Sequence, residues 1–486
     1  MRCIHLALVL LATAATSAAA QIPRLAARGT APMLAGIDAA SARYADVARQ
    51  IWELAEVGYQ EVKSSALLQA ELRAAGFTVT SGVAGEPTAF VAEYGSGTPV
   101  IALLGEFDAL PGLSQDSVPV RRPLRAGGAG HGCGHHLFGT GSVAAAIAVQ
   151  RWMRANGVPG TLRVVGTPAE EGGSGKVFMV RDGVFADVDA AIVWHPAADN
   201  SVAGERSAAN ISGKFRFRGQ AAHASSSPER GRSALDAVEA MNMMTNLLRE
   251  HVPQETRIHY VITKGGAAPN VVPDDAEAYY YVRHPDRSVV KDVWRRVEDA
   301  AKGAALGTGT TYEMSIIGAV YSYLPNETLA RVQQRALETV GGFTLSAAER
   351  DFAVRLQQSE GFRAVPLEAT ARVWPLAFGA PTLASTDVGD VSWVVPTVQL
   401  YAATWVPGTA SHTWQATAAG GTSIGVKGML VAAKSMALAA AELFTSPAIV
   451  AAAKAELAAK RGPGFQYETM LGDRKPPLDY RAGSAP

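Results

Sequence analysis

Cysteine is nearly missing from this chain: 486 residues hold two, Cys3 and Cys133. That excludes a disulfide-stapled scaffold and every four-cysteine zinc frame. Net charge is missing as well, because 44 Lys+Arg offset 44 Asp+Glu and no segment concentrates the basic residues. A phosphate backbone or an acidic membrane surface therefore finds no electrostatic footprint, so no nucleic-acid partner is expected. No period of solenoid length recurs, which excludes a stacked-repeat array. What remains is an ordinary globular composition, 48% hydrophobic and 18% charged, on a chain long enough for two or more domains.

Residues 1–20 read as an export signal. Arg2 gives a positive start, residues 4–11 an apolar stretch, and Ala18-Ala19-Ala20 a small-residue cleavage site before Gln21. The apolar part is too short to span a bilayer, so no membrane anchor is expected, and Cys3 is wrongly placed for a lipid anchor. The expected location is periplasmic or secreted. Cleavage leaves Cys133 as the only thiol, and a lone thiol in an oxidising compartment needs a reason. Metal ligation supplies one, because a coordinated thiolate is held in place and shielded.

Cys133 lies in Gly130-His131-Gly132-Cys133-Gly134-His135-His136, which also holds three of the ten histidines. Alternating glycines allow tight backbone turns, so these side chains can converge on one point. Thiolate and imidazole are donors that zinc and similar metals prefer. The small residues 139–148 predict a helix packed closely behind this loop. Three apolar runs, at residues 100–104, 161–165 and 190–193, predict strands buried on both faces. They end respectively in Glu106 and Asp108, in the pair Glu170-Glu171, and in Trp194-His195. Ligands of open α/β sheets sit at the carboxyl ends of strands, so these positions point to one shared site.

The character changes after residue 206. Alternating strands at 211–218, 257–263, 276–283 and 311–317, with helices at 233–250 and 289–305, give a β-α-β-β-α-β order. The expected fold class is thus α/β, a mostly parallel sheet flanked by helices, plus an inserted smaller two-layer α+β domain. The expected divisions are 21–206 and 323–460 for the two parts of a catalytic domain, and 207–322 for an inserted dimerisation domain. His223 follows the first strand of the insertion. His251 and His259 suit surface or packing positions, and His284 suits a turn beside Pro285. Residues 341–370 read as a polar, helix-like surface insertion without chemistry, and residues 461–486 as an extended Pro/Gly-rich tail. Asp387 and Asp390 could face a ligand or cap a turn. His412, in GTASHTW, precedes an Ala-rich helix at 426–444.

GEFDALPG, GHGCGHHLFGTG, GTPAEEGG, the APNVVPD segment leading to Arg283, and ASTDVGDVS follow one another in this order. In this the chain resembles the dinuclear metallohydrolases typified by aminoacylase and carboxypeptidase G. It is most similar to their aminobenzoyl-glutamate and auxin-conjugate hydrolase branch. The resemblance implies two divalent metal ions, zinc or manganese, on Cys133, His135, Glu171, His195 and His412. It implies Glu170 as general base and His223 as a residue lent to the active site of a dimer partner. It further implies Asn270 and Arg283 near a substrate carboxylate and Asp108 as an orienting aspartate. His136 departs from the aspartate or asparagine usual after Cys-Gly-His, and Glu106 has no firm counterpart. The expected function is metal-dependent hydrolysis of a small-molecule amide, an N-acyl amino acid or aminobenzoyl-glutamate-like conjugate, by a homodimer. A dipeptidase of the same family is the alternative, and a non-catalytic binder with a degenerate site is another. An intact Glu170 speaks against the binder, which needs ligands but no base.

Overall fold

The computed structural model describes residues 29–359 and 361–481, so the export signal expected over residues 1–20 lies outside the described residues. The strands are β1 (Thr78–Ser81), β2 (Phe90–Ser96), β3 (Val100–Glu106), β4 (Gly160–Thr167), β5 (Ala190–Ala197) and β6 (Ser201–Val202). They continue with β7 (Ala209–Arg218), β8 (Arg257–Lys264), β9 (Asp275–His284), β10 (Thr311–Val320) and β11 (Thr397–Ala403).

One sheet has seven strands in the order β1-β2-β4-β3-β5-β11-β6. Its centre is parallel, β4 on β3, β3 on β5 and β5 on β11. The pairs β1–β2, β2–β4 and β11–β6 are antiparallel. β3 and β4 are buried at every position, which side chains alternating across a sheet can only be if both faces are covered. Because the central strands share one direction, their four carboxyl ends open on the same edge. Glu106 ends β3, the Glu170-Glu171 turn follows β4, His195 lies near the end of β5, and the loop carrying His412 follows β11.

The helix His135–Asn156 packs on β3, β4 and β5 beside the helix Ser423–Thr445. It begins four residues before the small-residue run from which it was predicted, because Gly134 turns the chain at φ 75°. His135 and His136 therefore occupy its first turn. The small residues are a packing requirement: a Cβ on Gly139 would lie 2.8 Å from the Glu106 carbonyl oxygen, and one on Gly141 would lie 2.9 Å from Trp194. Ser423–Thr445 is long and apolar enough to cross a membrane, but 78% of its apolar window is buried, as in a core helix.

The second sheet is antiparallel throughout, in the order β10-β7-β9-β8. Two helices, Ala234–Leu248 and Arg287–Thr308, pack on it around Phe215, Phe217, Tyr280 and Trp294, forming a two-layer α+β unit.

Two segments differ from the sequence reading. Residues 341–370 carry the expected helix at the surface, but it also packs inward. Their helix Ala347–Gln357 places Ala353 and Leu356 against Trp405 and Val406, and Gln357 donates to the Pro407 carbonyl at 3.0 Å. They brace the loop that leads to His412. Residues 462–481 form no helix or strand, as expected of an extended tail, but they too pack on the fold. Phe465 packs on Trp393, Leu471 is buried, and Tyr467 donates to Asp390 at 2.6 Å. Proline and glycine removed the periodicity that would have announced these contacts, which are made by single aromatic residues over long chain distances.

Asp390 also accepts from the Tyr321 amide at 2.8 Å, so it ties the tail to the end of β10. Burial pushes its carboxyl up to about 7 although both hydrogen bonds pull it down. A carboxyl whose folded pKa is raised stabilises the fold fully below its unfolded value, near 4, and loses that contribution as pH rises through about 7. Urea denaturation between pH 5 and 7.5 should show this decline, and Asp390→Asn should flatten it; an unchanged slope in the variant would contradict the assignment.

Candidate active site

Where the four strand ends meet, Cys133 is buried between His195 and a loop histidine. Its Sγ lies 3.4 Å from His195 Nε2. The other ring nitrogen of His195 donates to the Pro196 carbonyl at 2.7 Å, since a carbonyl can only accept, and this turns Nε2 towards the thiol. His135 is oriented in the same manner. Its Nδ1 donates to Asp108 Oδ1 at 2.9 Å, leaving Nε2 facing inward. Asp108 Oδ2 accepts from the Glu171 amide at 2.9 Å, so one buried carboxylate positions two site residues at once.

The adjacent glutamates have different surroundings. Ala169 at φ 55° and Gly172 at φ 93° bend the turn sharply, and Glu61 accepts from the Ala169 amide. Glu171 Oε1 reaches His412 Nε2 at 3.1 Å. His412 holds a left-handed backbone at φ 61° and donates its amide to the Gly132 carbonyl at 2.9 Å. Such a conformation costs a non-glycine residue on the order of 1–3 kcal/mol and persists where surrounding contacts enforce it.

Three groups of potential donors have their atoms within 4.8 Å of one another: Cys133, His135 and His195; Cys133, Glu171 and His412; Glu106, His135 and Glu170. The first two share Cys133 Sγ. Several of these atoms are buried without a hydrogen-bond partner, namely His135 Nε2, Glu106 Oε2 and Glu171 Oε1. Nε2 of His135 and Oε2 of Glu106 approach to 3.0 Å without hydrogen-bond geometry. Buried donor atoms that converge but do not satisfy one another fit a cation between them.

Charge is strongly coupled across the cluster. Burial alone would push the Cys133 thiol up, but His195 and His135 hold it well below the usual range. Against burial, Cys133, Glu106 and Asp108 raise His135 well above an ordinary imidazole. The Cys133 thiol and the Glu171 carboxylate beside its ring raise His412 to about 11. Glu170 is pushed well up, first by burial and then by Glu106, Glu171 and Asp387.

Beneath Glu106 lies a group that the sequence did not announce. Lys176, fully buried in the helix Gly175–Arg181, donates to Asp387 Oδ1 at 2.6 Å and pairs with Glu106 Oε1 at 2.7 Å. Asp387 also accepts the Lys176 amide at 3.0 Å. Asp387 thus serves Lys176 instead of capping its own turn. The available signal was a lysine directly before Val-Phe-Met in a buried helix, where a charge requires partners.

A cavity of about 580 Å³ opens over these groups and is lined by Glu170, Glu171, His195, Arg283, Tyr281 and His412 among others. Arg283 reaches it from β9 and donates to Ser385 Oγ at 3.0 Å. His223 and Asn270 do not line it. Both are exposed, and they lie together, with the Ala224 amide donating to the Asn270 carbonyl at 3.0 Å. His136, the departure from the expected aspartate or asparagine, belongs to none of the three donor groups. It is buried against His131, contacts the Gly420 carbonyl through Nε2 at 3.1 Å, and is held well below the usual imidazole range by burial and by His131.

A family model described as peptidase family M20/M25/M40 matches residues 102–401. The chain is 45% identical over 434 residues to a p-aminobenzoyl-glutamate hydrolase subunit of Escherichia coli (strain K12), a match covering 84% of this chain and 90% of that one. It is 30% identical over 472 residues to Xaa-Arg dipeptidase of Mus musculus, over 94% and 96% of the two chains. Among solved structures, an aminobenzoyl-glutamate utilization protein from Klebsiella pneumoniae superposes with a TM-score of 0.60 at 18% identity, covering 85% of this chain and 98% of that one. A dinuclear metal-binding peptidase from Bacillus subtilis superposes with a TM-score of 0.54 at 18% identity, covering 84% and 99%. At that identity the two structures share the fold.

Lys176→Met should leave Glu106 and Asp387 buried without their cation and cost roughly 3–5 kcal/mol. Urea denaturation at neutral pH measures this, and a loss below about 1 kcal/mol would mean that water or rearrangement replaces the lysine.

Proposed function

This chain is a hydrolase that belongs to peptidase family M20/M25/M40, and from that premise we propose that it cleaves the amide bond of N-acyl amino acids or aminobenzoyl-glutamate-like conjugates with two divalent ions. The observation that carries the reading is Cys133 Sγ, common to two donor groups with Glu170 beside them. Cys133, His135 and His195 would hold one ion, and Cys133, Glu171 and His412 the other. Thiolate and imidazole donors favour zinc, with manganese the alternative where carboxylates dominate. Bound there, such ions would supply Lewis acidity, lowering the pKa of water and polarising the scissile carbonyl.

The residues of this chain account for the remaining chemistry. Glu170, which lines the cavity beside the donor groups, accepts the proton of the attacking water and passes it to the leaving nitrogen, a role worth about two to four powers of ten. Asp108 keeps His135 and Glu171 in register. Arg283 forks onto the carboxylate of the amino-acid half, as a guanidinium does best. The Xaa-Arg dipeptidase relatives favour a second reading, a dipeptidase. A cationic leaving residue would have to approach the Arg283 guanidinium on the cavity wall, which supports the acyl amino acid instead.

We also propose that the active form is a dimer in which His223 of one subunit stabilises the oxyanion in the other. Its supports are the open edge of β8, with Val261 and Ile262 exposed, the exposed Met243 and Leu247 on the neighbouring helix, and the position of His223 outside its own cavity. Export to the periplasm remains a proposal resting on residues 1–20; N-terminal sequencing that begins at Gln21 would support it, and retention of those residues would refute it.

Glu170→Gln should retain bound metal and lose about 10²–10⁴-fold in turnover, whereas Glu171→Ala should lose metal. Metal analysis beside kinetics checks both, and equal metal loss would merge the two roles. Mixing inactive His223→Ala and Glu170→Gln subunits under conditions of shown exchange should restore part of the activity. No recovery would place each site within one subunit. The Escherichia coli relative is named as one subunit of its hydrolase, which makes pairing with a different chain another outcome that counts against a homodimer.

A further inference from the structure

The end of the described chain returns to the catalytic cavity. Gln60 donates to the Leu478 carbonyl at 2.9 Å, and the Tyr480 ring packs edge-on against Tyr59 with centroids 5.8 Å apart. Tyr480 Oη donates to the Glu171 carbonyl at 3.0 Å, and Arg481 Nη2 donates to the same oxygen at 2.8 Å. Space is reserved for this segment, since a Cβ on Gly58 would lie 2.3 Å from Tyr480 Oη. Arg481 thereby lines the same cavity as Arg283. Both lie near Tyr281. The Arg283 guanidinium lies 5.4 Å from its ring centroid, and its hydroxyl and Arg481 Nη2 would lie 3.5 and 3.8 Å from a Cβ on Gly172.

The charges of the cavity do not account for these two arginines. Lys176 already pairs with Glu106 and Asp387, and Glu171 faces His412. Among the described residues neither Arg283 nor Arg481 has a carboxylate within ion-pair distance, and each keeps a buried Nε–H without an acceptor. Glu170 reaches Arg283 only as a field effect. Two half-buried guanidinium groups lining one cavity without a carboxylate partner fit a ligand that brings two negative charges.

We propose that Arg481 is a substrate-binding residue which, beside Arg283, reads a second carboxylate, so that the preferred substrates are N-acyl dicarboxylic amino acids and the C-terminal segment is part of the active site. The proposal rests on the amidohydrolase reading above. A charge-assisted hydrogen bond of this kind contributes enough to change affinity by about tenfold to a hundredfold.

The test compares N-(4-aminobenzoyl)-glutamate with N-(4-aminobenzoyl)-glutamine, which differ in the side-chain carboxylate alone, on metal-loaded wild type and Arg481→Gln. The variant should raise KM for the glutamate conjugate by about tenfold or more, with kcat within about threefold and metal content unchanged, and should raise KM for the glutamine conjugate by at least several-fold less. Arg481→Lys should recover part of the loss, because it restores charge without the planar fork. Equal losses on both conjugates, or loss of metal, would reduce Arg481 to a brace for the Glu171 turn and overturn the proposal. If wild type cleaves neither conjugate, the amidohydrolase reading fails, and calorimetric binding of glutarate decides the arginine separately. Glutarate binding at least about tenfold weaker in Arg481→Gln sustains it, and equal binding overturns it.

Discussion

One buried carboxylate holds this site together. Asp108 gives one oxygen to His135 Nδ1 and the other to the Glu171 amide, so the helix His135–Asn156 and the turn after β4 are set relative to each other by a single side chain. The sheet makes this possible. Because β3, β4, β5 and β11 run the same way, residues far apart in the chain leave it at one edge. Gly139 and Gly141 then let the helix approach closely enough for His135 to reach the Asp108 carboxylate.

Bringing so many ionisable groups together in an interior is costly unless each has a counterpart. Lys176 answers Glu106 and Asp387, and the histidines answer Cys133 and Glu171. The ligand atoms left without a hydrogen bond, His135 Nε2, Glu106 Oε2 and Glu171 Oε1, come from three different parts of the chain and belong to neighbouring donor groups. This is the arrangement expected of a fold that reserves its interior for cations. The strained backbone of His412 is in keeping with it, since the brace from residues 341–370 and the Gly132 carbonyl hold that residue against its own preference.

Much of this was readable from the chain. Buried parallel strands have unmistakable apolar runs, and chemistry-bearing residues at their carboxyl ends follow from the geometry of α/β sheets, so Cys133, His135, Glu170, Glu171 and His195 could be expected at one edge, where the fold brings them together. Lys176 was missed because a lone lysine in an apolar helix signals a buried charge only once its partners, more than 60 and 200 residues away, are known. The tail was missed for a related reason. Single residues such as Tyr480 and Arg481 act through contacts that no periodicity encodes, and a Pro/Gly-rich segment resembles a loose end. His223 and Asn270 rested on resemblance, and one chain alone leaves them outside its cavity.

The central claim is that Cys133, common to two donor groups, would help to hold both metal ions. Crystals of the zinc-loaded protein, with anomalous difference maps recorded on both sides of the zinc absorption edge, test it most directly. The account predicts two peaks, one against Cys133, His135 and His195 and the other against Cys133, Glu171 and His412. A single peak, or peaks that leave Cys133 Sγ untouched, would contradict it.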